Sequence, residues 1–340
     1  MAKFEINRRT FLAGAQALGA ASLLPGLAGK AFAQDLTKMT YLTPFGYLIG
    51  FAETMYADTS GIFKKHGLDV TIEGGRGSAM AVQQVTASNA LLSRTGGTDL
   101  IKAYAKDPSV VAVAEIYQKD LFFVISAEDA PIKTPGDMAG KTIGIVSAGG
   151  AVENILDMML ATTGVPKDEV SREVVGNAPA AFELVKQGRI AAFIATNDTL
   201  FQLNVDKQPV FAWSTDDVAL CPGQVYMTSK AQYEDNKETI AKFIAGVHEC
   251  LGVLLQTEDL APVIESMSQK YDIFEAKRPD KGLSTLKNSI SNYQAPFEDR
   301  LFSTPEKWES AYNLMIGAKL IEPLDEKNFY DDTARSMAFS

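Results

Sequence analysis

Apolar residues follow two rhythms along this chain. Between residues 39 and 194 short β-rich runs alternate with segments whose apolar positions recur at helical spacing, the pattern of an α/β sheet with helices packed on its faces. The strands predicted are 39–43, 68–73, 90–93, 110–116, 121–126, 142–146 and 190–195, each ending in turn-forming residues. After the sixth, Val152, Ile155, Leu156, Met159 and Leu160 mark the buried stripe of a helix that starts just past Ser147-Ala148-Gly149-Gly150. A shorter helix is expected over 179–187, with Asn177 near its start and Gly188 at its end.

Beyond residue 229 the second rhythm takes over. Ile240, Phe243, Ile244, Val247, Leu251 and Leu254 form one stripe of a helix over 233–255. A last helix is predicted over 305–316, with Thr304 as its cap, Pro305 at its first position, Trp308, Tyr312, Met315 and Ile316 on its apolar face, and Gly317 ending it. A helical C-terminal third fits a chain that returns to complete its first lobe.

The first 33 residues stand apart. Lys3, Arg8 and Arg9 precede a weakly apolar run from Phe11 to Leu24, and Ala31-Phe32-Ala33 suits cleavage, so the segment reads as an export signal rather than part of the fold. Asn7-Arg8-Arg9-Thr10-Phe11-Leu12 resembles the twin-arginine signal, which implies a periplasmic product. Removing Lys3, Arg8, Arg9, Lys30 and Glu5 with this segment takes the formal charge from −10 to −13, and so acidic a body repels nucleic acid and anionic membranes. The two cysteines, Cys221 and Cys250, lack the position of a lipid anchor, and buried thiols are expected more than a bridge. A soluble monomer follows, with no segment inserted in a membrane.

Three ordered segments then carry a resemblance. Gly61-Ile62-Phe63-Lys64-Lys65-His66-Gly67-Leu68-Asp69-Val70, Thr134-Pro135-Gly136-Asp137-Met138-Ala139-Gly140-Lys141 and Gln187-Gly188-Arg189-Ile190-Ala191-Ala192 are similar to segments of the periplasmic binding proteins that take up sulfonates, nitrate, taurine and thiamine pyrimidines, the NMT1/THI5-like family. Ala191 departs from it, standing where an aspartate is usual. The resemblance implies a type II periplasmic-binding-protein fold: two α/β lobes, 34–124 plus 225–340 and 125–224, joined by crossover segments near 121–126 and 222–228. It also implies hinge closure on a small molecule and a cognate ABC permease as partner.

In open α/β sheets ligands sit beyond the carboxyl ends of strands. That rule selects Phe45, Tyr47, Arg76, Ser78, Arg94, Thr95, Gly96, Ser147, Gly149, Gly150, Asn197 and Asp198, with Trp213 and Tyr226 later in the chain. Arg76, Arg94 and the Ser147–Gly150 cradle suit a sulfonate, carboxylate or nitrate, whereas Phe45, Tyr47, Trp213 and Tyr226 suit a planar ring. Each has a plainer reading as turn, cap or core.

An enzyme is disfavoured. The only histidines, His66 and His248, lie in a turn and a helix, the cysteines lack metal-ligand spacing, and Ser147 lacks the leading glycine of a nucleophile elbow. No cofactor, metal or catalytic residue is expected. The cysteine cluster of the related pyrimidine synthase of thiamine biosynthesis is missing, while a sensory protein presenting its ligand to a membrane receptor remains the rival to an importer component.

Overall fold

All seven predicted strands form in the computed structural model, which describes residues 35–340; the export signal expected over 1–33 lies outside the described residues. They are β1 (Thr37–Thr43), β2 (Leu68–Gly74), β3 (Leu92–Gly96), β4 (Val110–Tyr117), β5 (Phe122–Ala127), β6 (Thr142–Ile145) and β8 (Ala192–Thr196). Periodicity missed three others: β7 (Ser171–Val174), β9 (Val210–Ser214) and β10 (Gln224–Ser229). The first two are short sheet edges without a fully buried residue, so they lack the apolar run that announces a strand.

Among the described residues these ten strands make two sheets of one plan. The first runs β2-β1-β3-β10-β4 and the second β7-β6-β8-β5-β9. In each, three strands are parallel and the fourth in line, β10 or β5, is antiparallel to both neighbours. That inverted strand is the one the chain enters directly on crossing from the other sheet. The crossings therefore occupy residues 118–121 and 215–223. The crossings expected near 121–126 and 222–228 fall mostly within inner strands instead, β5 and β10, with Phe122 opposite Thr196 and Gln224 opposite Gly96. The crossings touch backbone to backbone at Gly223, where a Cβ would lie 2.1 Å from Lys119 O, so only glycine fits.

The helix Lys230–Gln256 lays Ile240, Phe243, Ile244, Val247, Leu251 and Leu254 on the face of the first sheet that carries Tyr41, Leu92 and Tyr226. Each such side chain contributes about 1.5–3 kcal/mol when fully buried. The helix Pro305–Gly317 does more than complete the first sheet's body. Its Trp308, Tyr312 and Met315 join a core shared with Ile143, Ile155 and Leu156 of the second.

Two caps differ from expectation. Thr304 makes no side-chain cap; its N–H donates to Glu115 Oε2 at 2.9 Å. Asn177 bonds across the sequence, accepting from Thr196 N at 3.0 Å and donating to Thr196 Oγ1 at 3.0 Å, while the expected 179–187 helix is a 3-10 turn, Pro179–Ala181, followed by Phe182–Lys186. Both cysteines are buried and free, and burial pushes both thiols well above their ordinary range.

Carboxyl groups gather at the crossings. Burial, with Asp216 adding to it, pushes the Asp120 carboxyl up to about 7, against the hydrogen bonds of Thr215, the Leu121 N–H and Cys221. Burial likewise takes Glu115 to about 8, against the Thr304 N–H and Lys307. Both values lie above those of the unfolded chain, so the folded state holds protons that the unfolded state gives up. Stability is then fully kept below about pH 4 and falls as pH rises through 7 and 8, by about 1.4 kcal/mol per pH unit for each retained proton. The midpoint of urea unfolding should fall between pH 7 and about 8.5, above the range where histidine titrates, and Glu115→Gln should flatten that fall.

Candidate functional site

The carboxyl end of β3 is built around an ion pair inside the first body. Arg94 sits in mid-strand opposite Tyr226, one residue outside the predicted strand, and is 1% exposed. Its Nη1 donates to Glu53 Oε1 at 2.8 Å and to Gly50 O at 3.2 Å, and its Nε donates to Gln224 Oε1. Glu53, from the helix Ala52–Thr59, also accepts from Tyr226 OH at 2.9 Å and Tyr293 OH at 3.2 Å. The guanidinium lies over the rings of Tyr117 and Phe51, with its Cζ 4.5 and 4.9 Å from their centroids. Burial opposes its charge, but Glu53 and the surrounding phenols outweigh burial and hold it above its ordinary range.

Two polar bridges join the bodies beyond the strand ends. In one, Asn154 from the helix Ala151–Thr163 accepts from Lys102 Nζ at 2.8 Å and donates to Asp99 Oδ1 at 3.2 Å; Lys102 and Asp99 belong to Gly97–Lys106, the helix after β3. Gly96 lies against this bridge, where a Cβ would meet Ala151 Cβ at 3.5 Å and Asp99 Oδ2 at 3.6 Å, ordinary contact distances that a side chain could also make. In the other, Asp198 from Asn197–Val205 accepts from Asn288 Nδ2, on Pro279–Ser291, at 2.6 Å.

Acceptors are left over around these bridges. Asp99 Oδ2, Thr95 Oγ1 and Glu275 Oε2 are buried without a hydrogen-bond partner, although such groups ordinarily find one. Burial pushes the Asp99 carboxyl up to about 6, against the lowering effects of Ser78, Lys102 and Asn154. It also raises Asp198, against Asn288 and Arg94, and Glu275 against its own and the Ile49 N–H.

Measured against this geometry, the residues selected by sequence divide. Ser78, Thr95, Gly96 and Asp198 lie at the two bridges. Asn197 N donates to Leu121 O at 2.8 Å, tying the second helix to the first crossing. Phe45, 46% exposed, pairs by backbone with the exposed Arg76, so the loops after β1 and β2 form one rim. Ser147 and Gly149 are exposed and Gly150 half-buried, but the cradle is filled from within: Gly149 N donates to Glu153 Oε2 at 2.5 Å.

Four residues expected to face a ligand are committed elsewhere. Arg94 neutralises Glu53, and Tyr226 is fully buried with its hydroxyl on the same carboxylate. Trp213 spends its Nε1–H on Ile132 O at 2.8 Å. Tyr47 packs on Tyr271 with centroids 5.1 Å apart and donates to Ile72 O at 3.3 Å. Arg94, Trp213 and Tyr226 sit in strands, where the pleat turns each toward its own sheet's packing, while Tyr47 lies in the loop after β1.

Sequence reasoning missed Glu53, Asp99, Lys102, Asn154, Glu275 and Asn288. A signal existed for one of them: Glu53 is a lone charge inside Ile49-Gly50-Phe51-Ala52-Glu53-Thr54-Met55, whereas Asn154 lies off the apolar stripe of its helix and is buried all the same. A groove of about 780 Å³ lined by Glu128, Lys141, Phe182, Lys186 and Arg189 lies at the opposite edge of β6 and β8. Among the described residues, none of those lining it holds an unpartnered buried atom.

The family described as NMT1/THI5 like matches residues 49–259, more than half of the chain. The chain belongs to the NMT1/THI5-like family. The matched segment contains Glu53, Arg94, Asp99, Lys102, Asn154 and Asp198, and excludes Phe45, Glu275 and Asn288. Within the family's reach is the formylaminopyrimidine-binding protein of Halalkalibacterium halodurans, 26% identical over 271 residues that cover 74% of this chain and 76% of that protein. The fold is also that of the alkanesulfonate-binding protein of Xanthomonas axonopodis pv. citri, with a TM-score of 0.62 at 12% identity over 84% of this chain and 94% of that one. The periplasmic nitrate-binding protein of Synechocystis PCC 6803 matches with a TM-score of 0.60 at 14% identity, over 89% and 88% of the two chains. The type II periplasmic-binding fold of this NMT1/THI5-like chain is therefore established, and these relatives are binding proteins by name.

Proposed function

We propose that this protein is the periplasmic solute-binding component of an ABC importer. It captures a small planar molecule rich in hydrogen-bond donors between its two sheet bodies and delivers it, as a monomer, to a cognate permease. The bodies act as lobes that close about the crossings, and the Asn154 and Asn288 bridges are their closing contacts. Export through the twin-arginine route would place it there. It alters nothing it carries, so a turnover assay should return the ligand intact.

One observation carries the choice of ligand. The buried atoms left without partners beside the bridges are Asp99 Oδ2, Glu275 Oε2 and Thr95 Oγ1, two carboxylate acceptors and a hydroxyl. A donor-bearing guest satisfies them; a sulfonate or nitrate would meet their negative charge. The cationic and amide groups that would welcome an anion are either exposed, like Arg76, or already bonded, like Arg94 and Gly149 N. The formylaminopyrimidine-binding relative supports the same chemistry.

Thermal unfolding in the presence of amino-substituted pyrimidines, alkanesulfonates and nitrate tests the reading. A ligand at 100 times its dissociation constant adds about 2.7 kcal/mol of stability, so an aminopyrimidine should raise the melting temperature by several degrees. A shift with sulfonate or nitrate and none with the heterocyclic amines would overturn the donor assignment.

A further inference from the structure

The helix Pro305–Gly317 lies beyond the family match, which ends at residue 259. It touches both bodies, packing on Ala151–Thr163 after β6 and on Gly97–Lys106 after β3. The chain that follows is tied back to the first sheet, where Ala112 N donates to Phe329 O and Asp331 N to Ala112 O, both at 2.9 Å. Its first turn reaches the crossings. Lys307 Nζ donates to Gln118 O in the first crossing and lies 4.0 Å from Asp216 Oδ2 in the second.

Lys307 and Asp216 are each only 12% exposed. A second contact runs beside the first: Thr304 N donates to Glu115 Oε2 at the end of β4. Asp216 is itself held, accepting from Asp120 N at 3.4 Å, so the ammonium and its neighbours connect both crossings and the helix. A hinge moves by changing backbone angles in a few connecting residues. One ammonium hydrogen-bonded to the first connection and ion-paired with the second cannot follow both when they diverge, and a charge-assisted hydrogen bond out of water is costly to release.

We infer that Pro305–Gly317 is a third element of the hinge, and that Lys307, by joining the two crossings, biases the lobes toward the closed arrangement. This rests on the closing motion put forward above. Lys307 touches no part of the candidate ligand region, so it tunes affinity from a distance by setting how much of the ligand-free protein is closed.

The test is the distance distribution between spin labels at the exposed residues Ala87 and Lys167, introduced as Ala87→Cys and Lys167→Cys in the ligand-free protein. The unaltered hinge should show short and long populations. Lys307→Met should move the ratio about tenfold toward the long one, the effect of a single charge-assisted bond, and Lys307→Arg should restore most of the short one. Should Lys307→Met fail to fold, Asp216→Asn keeps the ammonium on Gln118 and should move the ratio the same way, less far. Two populations whose ratio neither variant changes would overturn the role of Lys307 alone. One narrow distance in every protein would overturn the closing motion itself.

Discussion

Glu53→Ala is expected to lower the free energy of unfolding by about 3–5 kcal/mol, the cost of leaving one member of a buried ion pair without the other. Glu53 is fully buried and Arg94 is 1% exposed, and the substitution also strips the hydroxyls of Tyr226 and Tyr293 of their acceptor. The two halves of the pair should differ in how they tolerate loss. A guanidinium stays charged at any working pH, whereas a stranded carboxylate can take up a proton. The penalty of Glu53→Ala should therefore be the same at pH 5 and pH 8, and that of Arg94→Met should shrink at the lower pH. Replacing both, Glu53→Leu with Arg94→Met, should recover much of the loss, since a well-packed apolar pair often matches a buried ionic one. Urea unfolding at the two pH values measures all of this. A cost below about 1 kcal/mol for Glu53→Ala, with ligand affinity lost, would return Arg94 to the ligand.

The same pair shows why the fold was easier to read than the site. Strands β1 to β6 and β8 announce themselves because burial acts through local sequence: a run of apolar residues between turns has few other structures to adopt. The loops beyond them could be chosen by the same reasoning, and Ser78, Thr95, Gly96 and Asp198 came with them. What a polar side chain bonds to is a different matter. Arg94 meets Glu53 across 41 positions, and Asn154 meets Asp99 across 55. No local pattern encodes such a partner, so an arginine at a strand end looked available although it was already neutralised. Trp213 and Tyr226 misled in the same way, because a ring with a polar handle looks alike whether the handle is free or bonded. Strand β7 was hidden for the opposite reason: an edge strand that buries nothing fully leaves no hydrophobic mark to read.

The carboxylate of Asp99 should be where specificity is decided. Asp99→Leu is expected to weaken the binding of an amino-substituted pyrimidine by about 2–5 kcal/mol, roughly 30- to 4000-fold, the range found when one partner of a buried charged hydrogen bond is removed. Asp99→Asn should weaken it nearly as much, despite conserving shape, if the new amide turns a donor toward the donors of the guest. Acidity gives a second handle. Burial holds the Asp99 carboxyl up at about 6, so below that pH a growing share of the free protein carries a proton where the guest needs an acceptor. Apparent affinity should then be level above pH 7 and fall toward tenfold per pH unit below about 6, following the share of protein still able to bind. Asp99→Asn, with nothing to titrate there, should lose that slope while keeping whatever pH dependence Asp198 and Glu275 impose. Calorimetric titrations from pH 5 to about 8 decide the matter, because a guest that accepted a hydrogen bond from the protonated acid would bind more tightly as pH falls. That reversed slope would mean the unpartnered oxygen of Asp99 acts as a donor, and the ligand would be of the opposite polarity.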